Sequence, residues 1–498
     1  MRRLTTSPGL TFSAVLLVVG LLSLVAVSLP PEPTDGAEVA ASRRVVAGDD
    51  ATLVEGDVTV HGDSAESTTA GRAGGSGTLT AAKSGTAAKA ATGGKGGSGG
   101  NAQGAALACK AGQNGGNTDI GVTATEIKLA STVVQSGVGA SFLADSPKAM
   151  QAVVQKVNRQ GGICGRLLRL KVVDDGWNDK LGLNFIRNFI ESKEYFALPV
   201  VPSSEGLTAA IEAKDISTAG IPVVGSDGML RQQYQDKWVW PVATATESTM
   251  RAMAKFGYDQ GARTFGIVYD SQYRFGKEGA DAFKAYVESL GGGAAVKAFV
   301  GIRPGESSYG SEVERFNGAC NPCDMVAMLL EPATAETWVA GRPTFGKVLT
   351  SGAQTLFNRR FASNCRAACH DMLVWTGYNP PIDALAGKAG VNEFVNDVQS
   401  VDPGIDTTNA FVEGAYLGMT VFVEALRRVG PNLTRAALRA ELDKMTFEGD
   451  LASTLQWTPE RRNANIRAQA FSLQYAGDSF SGFRNEQTGW IADPVLAR

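Results

Sequence analysis

The stretch Val157-Asn-Arg-Gln-Gly-Gly-Ile-Cys-Gly-Arg166, continued by Leu167-Leu-Arg-Leu-Lys-Val-Val173 and Asp174-Asp-Gly-Trp177, decides the fold. Asn158 to Gly162 supply the left-handed conformations that stop a helix. A short apolar strand follows at once and ends in an acidic loop. Helix to strand through a tight glycine turn is one αβ step of a parallel sheet.

Outward from this stretch the pattern repeats. Strand candidates Glu126–Val134, Leu167–Val173, Tyr195–Val201 and Pro222–Gly225 alternate with helices near Ser141–Arg159 and Asp179–Lys193 and a third from about Glu205. Met150, Val153, Val154 and Val157 form the apolar face of the first helix, and Ile186, Phe189 and Ile190 that of the second. A second series starts at Thr264–Tyr269, followed by a helix near Gly276–Leu290. Strands Ala295–Val300, Asp324–Leu330, Lys347–Thr350 and Met372–Trp375 continue it. Among the late helices, Val412, Ala415, Tyr416, Met419, Phe422, Val423 and Leu426 stand at helical spacing and read as core. Two βα series in one chain imply an α/β protein of two doubly wound lobes.

The wording Asn-x-x-Gly-Gly-Ile-x-Gly-Arg, with a strand ending in Asp-Asp, resembles the first αβ unit of type I periplasmic binding proteins, in the branch that binds branched-chain amino acids and amides (Leu/Ile/Val-binding protein-like) for ABC transporters. Gly121-Val-Thr-Ala-Thr-Glu-Ile-Lys-Leu129, Gly220-Ile-Pro-Val-Val-Gly225, Gly261-Ala-Arg-Thr-Phe-Gly-Ile-Val-Tyr-Asp270, Phe275-Gly-Lys-Glu-Gly279 and Leu455-Gln-Trp-Thr-Pro459 extend the likeness from about Gly121 to the C-terminus. Each piece is weak alone, whereas their order and spacing are specific. The resemblance implies Rossmann-like lobes joined by a three-crossing hinge, with crossings near 243, 377 and 454. The N-lobe is then 109–243 plus 378–453, and the C-lobe 244–377 plus 454–498.

Composition narrows the class. The net charge of −3 over 498 residues is mixed in sign, so no nucleic-acid surface is expected. His61 and His370 are the only histidines, which leaves little for a metal site or for acid–base work near neutral pH. Met1-Arg-Arg-Leu4 precedes the apolar run Phe12–Leu29, so 1–29 reads as an export signal or as an uncleaved membrane anchor. Both readings place the rest of the chain outside the cytoplasm, secreted or held at the outer membrane face. The Gly/Ala/Ser/Thr-rich stretch 30–108 lacks the apolar content to fold and reads as a disordered linker spanning on the order of 50 Å. It is either a tether or an inert spacer.

Six cysteines in an oxidising compartment read as disulfides. Cys109 and Cys164 precede neighbouring parallel strands and so fall at one edge, which predicts a Cys109–Cys164 bridge. Cys320-Asn-Pro-Cys323 and Cys365-Arg-Ala-Ala-Cys369 precede C-lobe strands that are not expected to be adjacent, which favours local bridges 320–323 and 365–369. The alternative is a Cys₄ zinc site, against which the long spacing between the pairs counts.

In open α/β sheets ligands bind beyond the carboxyl ends of the strands. Two facing lobes therefore put the site between them, and the residues after each strand become candidates. In the N-lobe these are Ser136 and Phe142, Trp177, Ser203 and Ser204, and Ser226 and Gly228. Hydroxyls and free N–H groups at a helix start suit a carboxylate or carbonyl oxygen, although either serine could be only an N-cap. The resemblance implies that Ser203–Ser204 and Ser226 hold a ligand carboxylate, and that Tyr273 and Phe275 form an aromatic wall. Glu331 could accept a ligand amine or simply cap the helix behind it. Ser351 and Gln354 stand where the family's amino-acid binders carry an acid, so an amide, urea-like or plain carboxylate ligand stays open beside an amino acid.

The expected function is capture of a small polar ligand by hinge closure, for delivery to a transporter permease, without catalysis and without a cofactor. An Asp227–Glu331 pair could be imagined as catalytic, but no GxSxG, P-loop or HExxH motif stands in the chain. A membrane-tethered ligand sensor or scaffold is the alternative. With no output domain after Arg498, it would signal through a partner.

Overall fold

A computed structural model describes residues 109, 113–382, 385, 387–457 and 467–496. The export or anchor segment and the linker expected over 1–108 lie outside these residues. Among the described residues no helix is long and apolar enough to cross a membrane.

The opening stretch folds as its residues require. The helix Ser146–Arg159 starts with Pro147 in its first turn, buries Met150, Val153, Val154 and Val157, and carries Lys156 and Arg159 in its last turn. It ends where Gly161 and Gly162 take φ of 91° and 76°. A side chain at Gly162 would run into the Arg166 carbonyl, so only glycine fits this turn. Asn158 ties the helix end to the next strand, donating to the Leu168 carbonyl at 3.0 Å and accepting the Leu168 N–H at 2.8 Å. The buried Arg166 guanidinium donates to the carbonyls of Thr123, Asn114, Gly116 and Pro431, pinning the incoming chain to this edge. Cys164 is bonded to Cys109 at the same edge.

Strands β1 (Glu126–Val133), β2 (Leu167–Asp174), β3 (Leu198–Pro199), β4 (Val223–Val224) and β5 (Val239–Trp240) build the first sheet. β1 and β2 run parallel from Glu126 opposite Leu167 to Val133 opposite Asp174. A parallel bridge from Leu129 to Ala197 joins β3, and β3, β4 and β5 are parallel in turn. The order is therefore β2-β1-β3-β4-β5. The stretch expected as a strand at Tyr195–Val201 keeps only two strand residues. Pro199 has no N–H to give, and Val200 sits at a φ of 47°.

β6 (Thr264–Asp270), β7 (Ala295–Ile302), β8 (Met325–Leu329), β9 (Leu349–Gly352) and β10 (Leu373–Thr376) repeat that plan as a parallel series β7-β6-β8-β9-β10. A small antiparallel pair, β11 (Thr446–Phe447) and β12 (Leu455–Gln456), stands apart. β13 (Arg467–Ala476) then runs antiparallel to β10 and pairs on its other side with β14 (Ser479–Asn485) and with β15 (Ile491–Ala492). The two doubly wound lobes thus share one strand order, with switch points between β1 and β3 and between β6 and β8. β8 and β10 are separated by β9, and the cysteines ahead of each pair locally, Cys320 with Cys323 and Cys365 with Cys369.

The late helix Ala410–Val429 buries fifteen residues, Tyr416 and Phe422 among them, and packs on the helix Ser146–Arg159 of the first lobe. Lys156 reaches across to Asp397 at 2.7 Å, and Asp397 also accepts the Tyr416 hydroxyl at 2.6 Å.

Candidate functional site

The carboxyl ends of the two sheets meet. After β2, Asp175 Oδ1 accepts the N–H of Trp177 at 2.9 Å, closing a turn that holds Trp177 at a φ of 64°. A large side chain in the left-handed region is strained and persists only where its surroundings fix it. Here the indole N–H donates to Ser204 Oγ at 3.1 Å. Its ring stacks on Tyr273 of the second lobe at 4.2 Å and 19° and lies 5.3 Å from Phe275. Phe142 meets Trp177 edge-on at 5.3 Å and Phe411 at 4.8 Å. Phe142, Trp177, Phe275 and Phe411 are thereby buried in one apolar cluster with residues of both lobes.

Polar groups also cross the junction. Ser141 donates to Glu331 Oε2 at 2.8 Å. The Arg274 N–H donates to Glu205 Oε1 at 3.0 Å, and its guanidinium pairs with Glu212 at 2.9 Å and Glu278 at 2.8 Å. Ser141, Glu205 and Glu212 belong to the first lobe, and Arg274, Glu278 and Glu331 to the second.

The expected residues fare differently. Ser203 precedes the helix Ser204–Glu212 without capping it; its hydroxyl donates to Asp175 Oδ1 at 2.8 Å. Ser204 is engaged by Trp177, so neither serine acts as a simple N-cap and both hydroxyls have protein partners. Gly228, at a φ of 66°, gives its N–H to Gln233 Oε1 at 3.1 Å. Ser226 is fully buried and its Oγ has no partner. Glu331 caps the helix Pro332–Ala340, accepting the N–H groups of Ala333 and Thr334. With Ser141 also bound to it, Glu331 accepts three hydrogen bonds from the protein. Ser136 lies exposed at the rim. Ser351 was expected to follow a strand, but it lies inside β9, which starts two residues later than its apolar pattern suggests, and it is buried against Trp375. Asp227 and Glu331 each close a turn of their own.

A cavity of about 10 Å³, room for about one water, lies between the lobes, walled by Met229, Thr244, Thr246, Phe275, Leu329, Gln354 and Phe411. Gln354 Oε1 accepts the Gly377 N–H at 3.1 Å, and Thr244 donates to the Arg467 carbonyl at 2.5 Å. Phe275 and Gln354 are the expected site residues that reach this wall.

Several buried carboxyl groups surround the junction; of these the sequence reading singled out Asp227 but not Glu205 or Asp270. Burial pushes Asp175, Glu205 and Asp227 each up to about 7 and Asp270 up to about 6. Asp175, Asp227 and Asp270 share one geometry. Oδ1 accepts the N–H two residues on, at Trp177, Met229 and Gln272, while the buried Oδ2 has no partner. Asp175 Oδ2 is wedged where the helices Asp179–Ser192 and Ser204–Glu212 approach at Gly182 and Gly206. An acidic residue two positions before a loop N–H is a recognisable turn signal, but its burial depends on neighbouring elements such as those at Gly182 and Gly206 and so is invisible to local pattern.

Residues 126–478 match the family described as periplasmic binding protein. No curated protein sequence counts as a match. Among solved structures, the chain is similar to a fatty acid ABC transporter substrate-binding protein from Thermomonospora curvata, at 17% identity and a TM-score of 0.64, covering 78% of this chain and 98% of that one. It is also similar to an ABC transporter solute-binding protein from R. palustris in complex with 4-hydroxybenzoate, at 15% identity and a TM-score of 0.61, covering 74% and 97%. A third is a possible leucine/isoleucine/valine-binding protein from Rhodopirellula baltica SH 1, at 12% identity and a TM-score of 0.60, covering 73% and 97%.

Proposed function

We propose, since the chain belongs to the periplasmic binding protein family, that it captures a small solute between its lobes outside the cytoplasm and hands it to an ABC transporter permease. The observation that carries this is the meeting of two like-ordered sheets at their carboxyl ends, where Trp177 of one lobe stacks on Tyr273 of the other. Residues that touch across a gap stabilise closure, and a solute touching both walls adds to that balance. We place the three lobe crossings near 243, 377 and 454. The placement is supported by β5 and β6 lying in different sheets, by β10 preceding helices that pack on the first lobe, and by β13 returning to the second sheet.

The solved relatives bind chemically different ligands, a fatty acid transporter's substrate in one and 4-hydroxybenzoate in another, so family membership leaves the solute open. The role requires binding and release without turnover. An N-terminal segment retained in the membrane would keep the lobes beside the permease.

The experiment is a thermal-shift screen of the full chain against amino acids, amides, amines, aromatic acids and short fatty acids. A binder at about 100 times its Kd adds about 2.7 kcal/mol to stability. A screen in which no solute class raises the melting temperature contradicts the proposal and favours a scaffold whose lobes are held together by their own contacts.

A further inference from the structure

The first lobe carries a buried polar cluster beside the cavity whose acceptors the fold uses only in part. Ser226 and Glu413 are fully buried, and Asp227 nearly so. Ser226 Oγ, Asp227 Oδ2 and both carboxylate oxygens of Glu413 have no partner. Both acids act on the Tyr378 phenol, and Asp227 also acts on that of Tyr234. Gly414, next to Glu413, is so close that a side chain there would strike the Tyr378 hydroxyl.

Among the described residues no cation pairs with these acids. The charged group acting on Asp227 is another carboxyl, Glu205. The polar group acting on Glu413 is the Asn379 N–H, which is already given to the Leu451 carbonyl at 2.8 Å. Arg274, the cation at the lobe junction, is committed to Glu212 and Glu278. Burying unpaired carboxyl groups is costly, and a fold that needed only packing would place apolar side chains there.

The cluster adjoins the cavity through two separate elements. Asp227 accepts the N–H of Met229, a wall residue, at 3.2 Å. Gly377, beside Tyr378, donates to the wall residue Gln354 and lies against Thr244. Of the serines suited to a ligand carboxylate, Ser203 gives its hydroxyl proton to Asp175, and Ser204 accepts from Trp177. Asp227 Oδ2 and both Glu413 oxygens are acceptors when ionised, and an ammonium supplies the donors they lack.

We propose that Ser226, Asp227, Glu413 and Tyr378 form a subsite for the protonated amino group of an organic amine without a carboxylate, its apolar body lying against Met229, Phe275 and Phe411. This rests on the solute-binding reading and names the chemistry of its ligand. An ammonium has three donors and no acceptor, which suits a pocket of unpartnered oxygens.

The test uses the full chain and five compounds of one shape: 3-methylbutylamine, 3-methylbutan-1-ol, 3-methylbutanamide, 3-methylbutanoate and leucine. The amine is expected to raise the melting temperature and to bind at least tenfold more tightly than each of the others. Its binding is expected to strengthen between pH 6 and 8 as Asp227 ionises, a readout that needs no variant. Asp227→Asn and Glu413→Gln are each expected to weaken amine binding at least tenfold, while melting no lower than the parent in the absence of solute. Equal or tighter binding of the alcohol, amide or acid, amine binding unchanged in both variants, or silence of the amine overturns the subsite. In the first case the solute-binding reading survives; it falls only if the broad screen is silent as well.

Discussion

Trp177→Ala separates what holds the lobes together from what holds each lobe folded. Truncating a buried tryptophan costs about 3–5 kcal/mol. Two of its ring contacts, to Tyr273 and Phe275, come from the opposite lobe, and the edge contact to Phe142 and the hydrogen bond to Ser204 come from its own. Stacked pairs are each worth about 0.5–1.5 kcal/mol beyond area burial, so the cross-lobe pairs together supply about 1–3 kcal/mol. That share is absent once the lobes part. The substitution is therefore expected to shift the balance from closed to open by roughly 5- to 140-fold, at about 1.4 kcal/mol per tenfold. The remainder, about 2 kcal/mol, appears as lost folding stability. Closure is read as the dipolar distance between spin labels at Lys180→Cys and Lys277→Cys, exposed positions on the two lobes near the junction, and stability as urea denaturation. If the distance distribution stays unchanged while denaturation shows the full 3–5 kcal/mol loss, Trp177 is ordinary core and the argument fails.

Removing the Cys109–Cys164 bridge, which links residues 55 apart, is expected to lower stability by about 4 kcal/mol on the loop-entropy account, measured by denaturation of Cys109→Ser/Cys164→Ser under oxidising conditions. Arg166→Lys keeps the charge but loses the fork that serves four carbonyls, so a loss of at least about 2 kcal/mol is expected; a loss below 0.5 kcal/mol would show the clamp to be incidental. Asp175, Glu205 and Asp227 have folded values near 7, above the ordinary carboxyl range, so the folded state holds more protons than the unfolded state between about pH 4 and 7. Stability from these groups is present at low pH within that window and lost as pH rises through it. Asp227→Asn is therefore expected to stabilise the solute-free protein more at pH 8 than at pH 5, as compared by urea denaturation at the two values.

The sequence reading reached furthest where structure is local. Asn158 to Arg166 forms the expected turn because helix end, glycine pair and clamp all lie within ten residues. The parallel strands with continuous apolar runs were legible for the same reason. β3 and β5 were shortened or missed because a proline and two-residue pairings leave little pattern to read. β13 and β14 were missed because Arg467–Ala476 mixes polar and apolar residues, and its burial comes from β10 and from the helices above it. At the site, residue types at strand ends pointed to the junction where the carboxyl ends of the two sheets meet. They did not show that Glu331, Ser203 and Ser204 would be taken by protein partners, because those partners lie up to 190 positions away. Nor did they reveal Glu413, an acid within the apolar face of Ala410–Val429 that spacing alone assigns to core packing.

The central claim is capture of a solute by closure of two lobes. It is tested most directly by the Lys180–Lys277 label distance in the parent chain, titrated with 3-methylbutylamine and with every solute that raises the melting temperature. The account predicts two distance populations without solute and conversion to the shorter one in proportion to binding. A distance distribution that stays the same at saturating solute would contradict it.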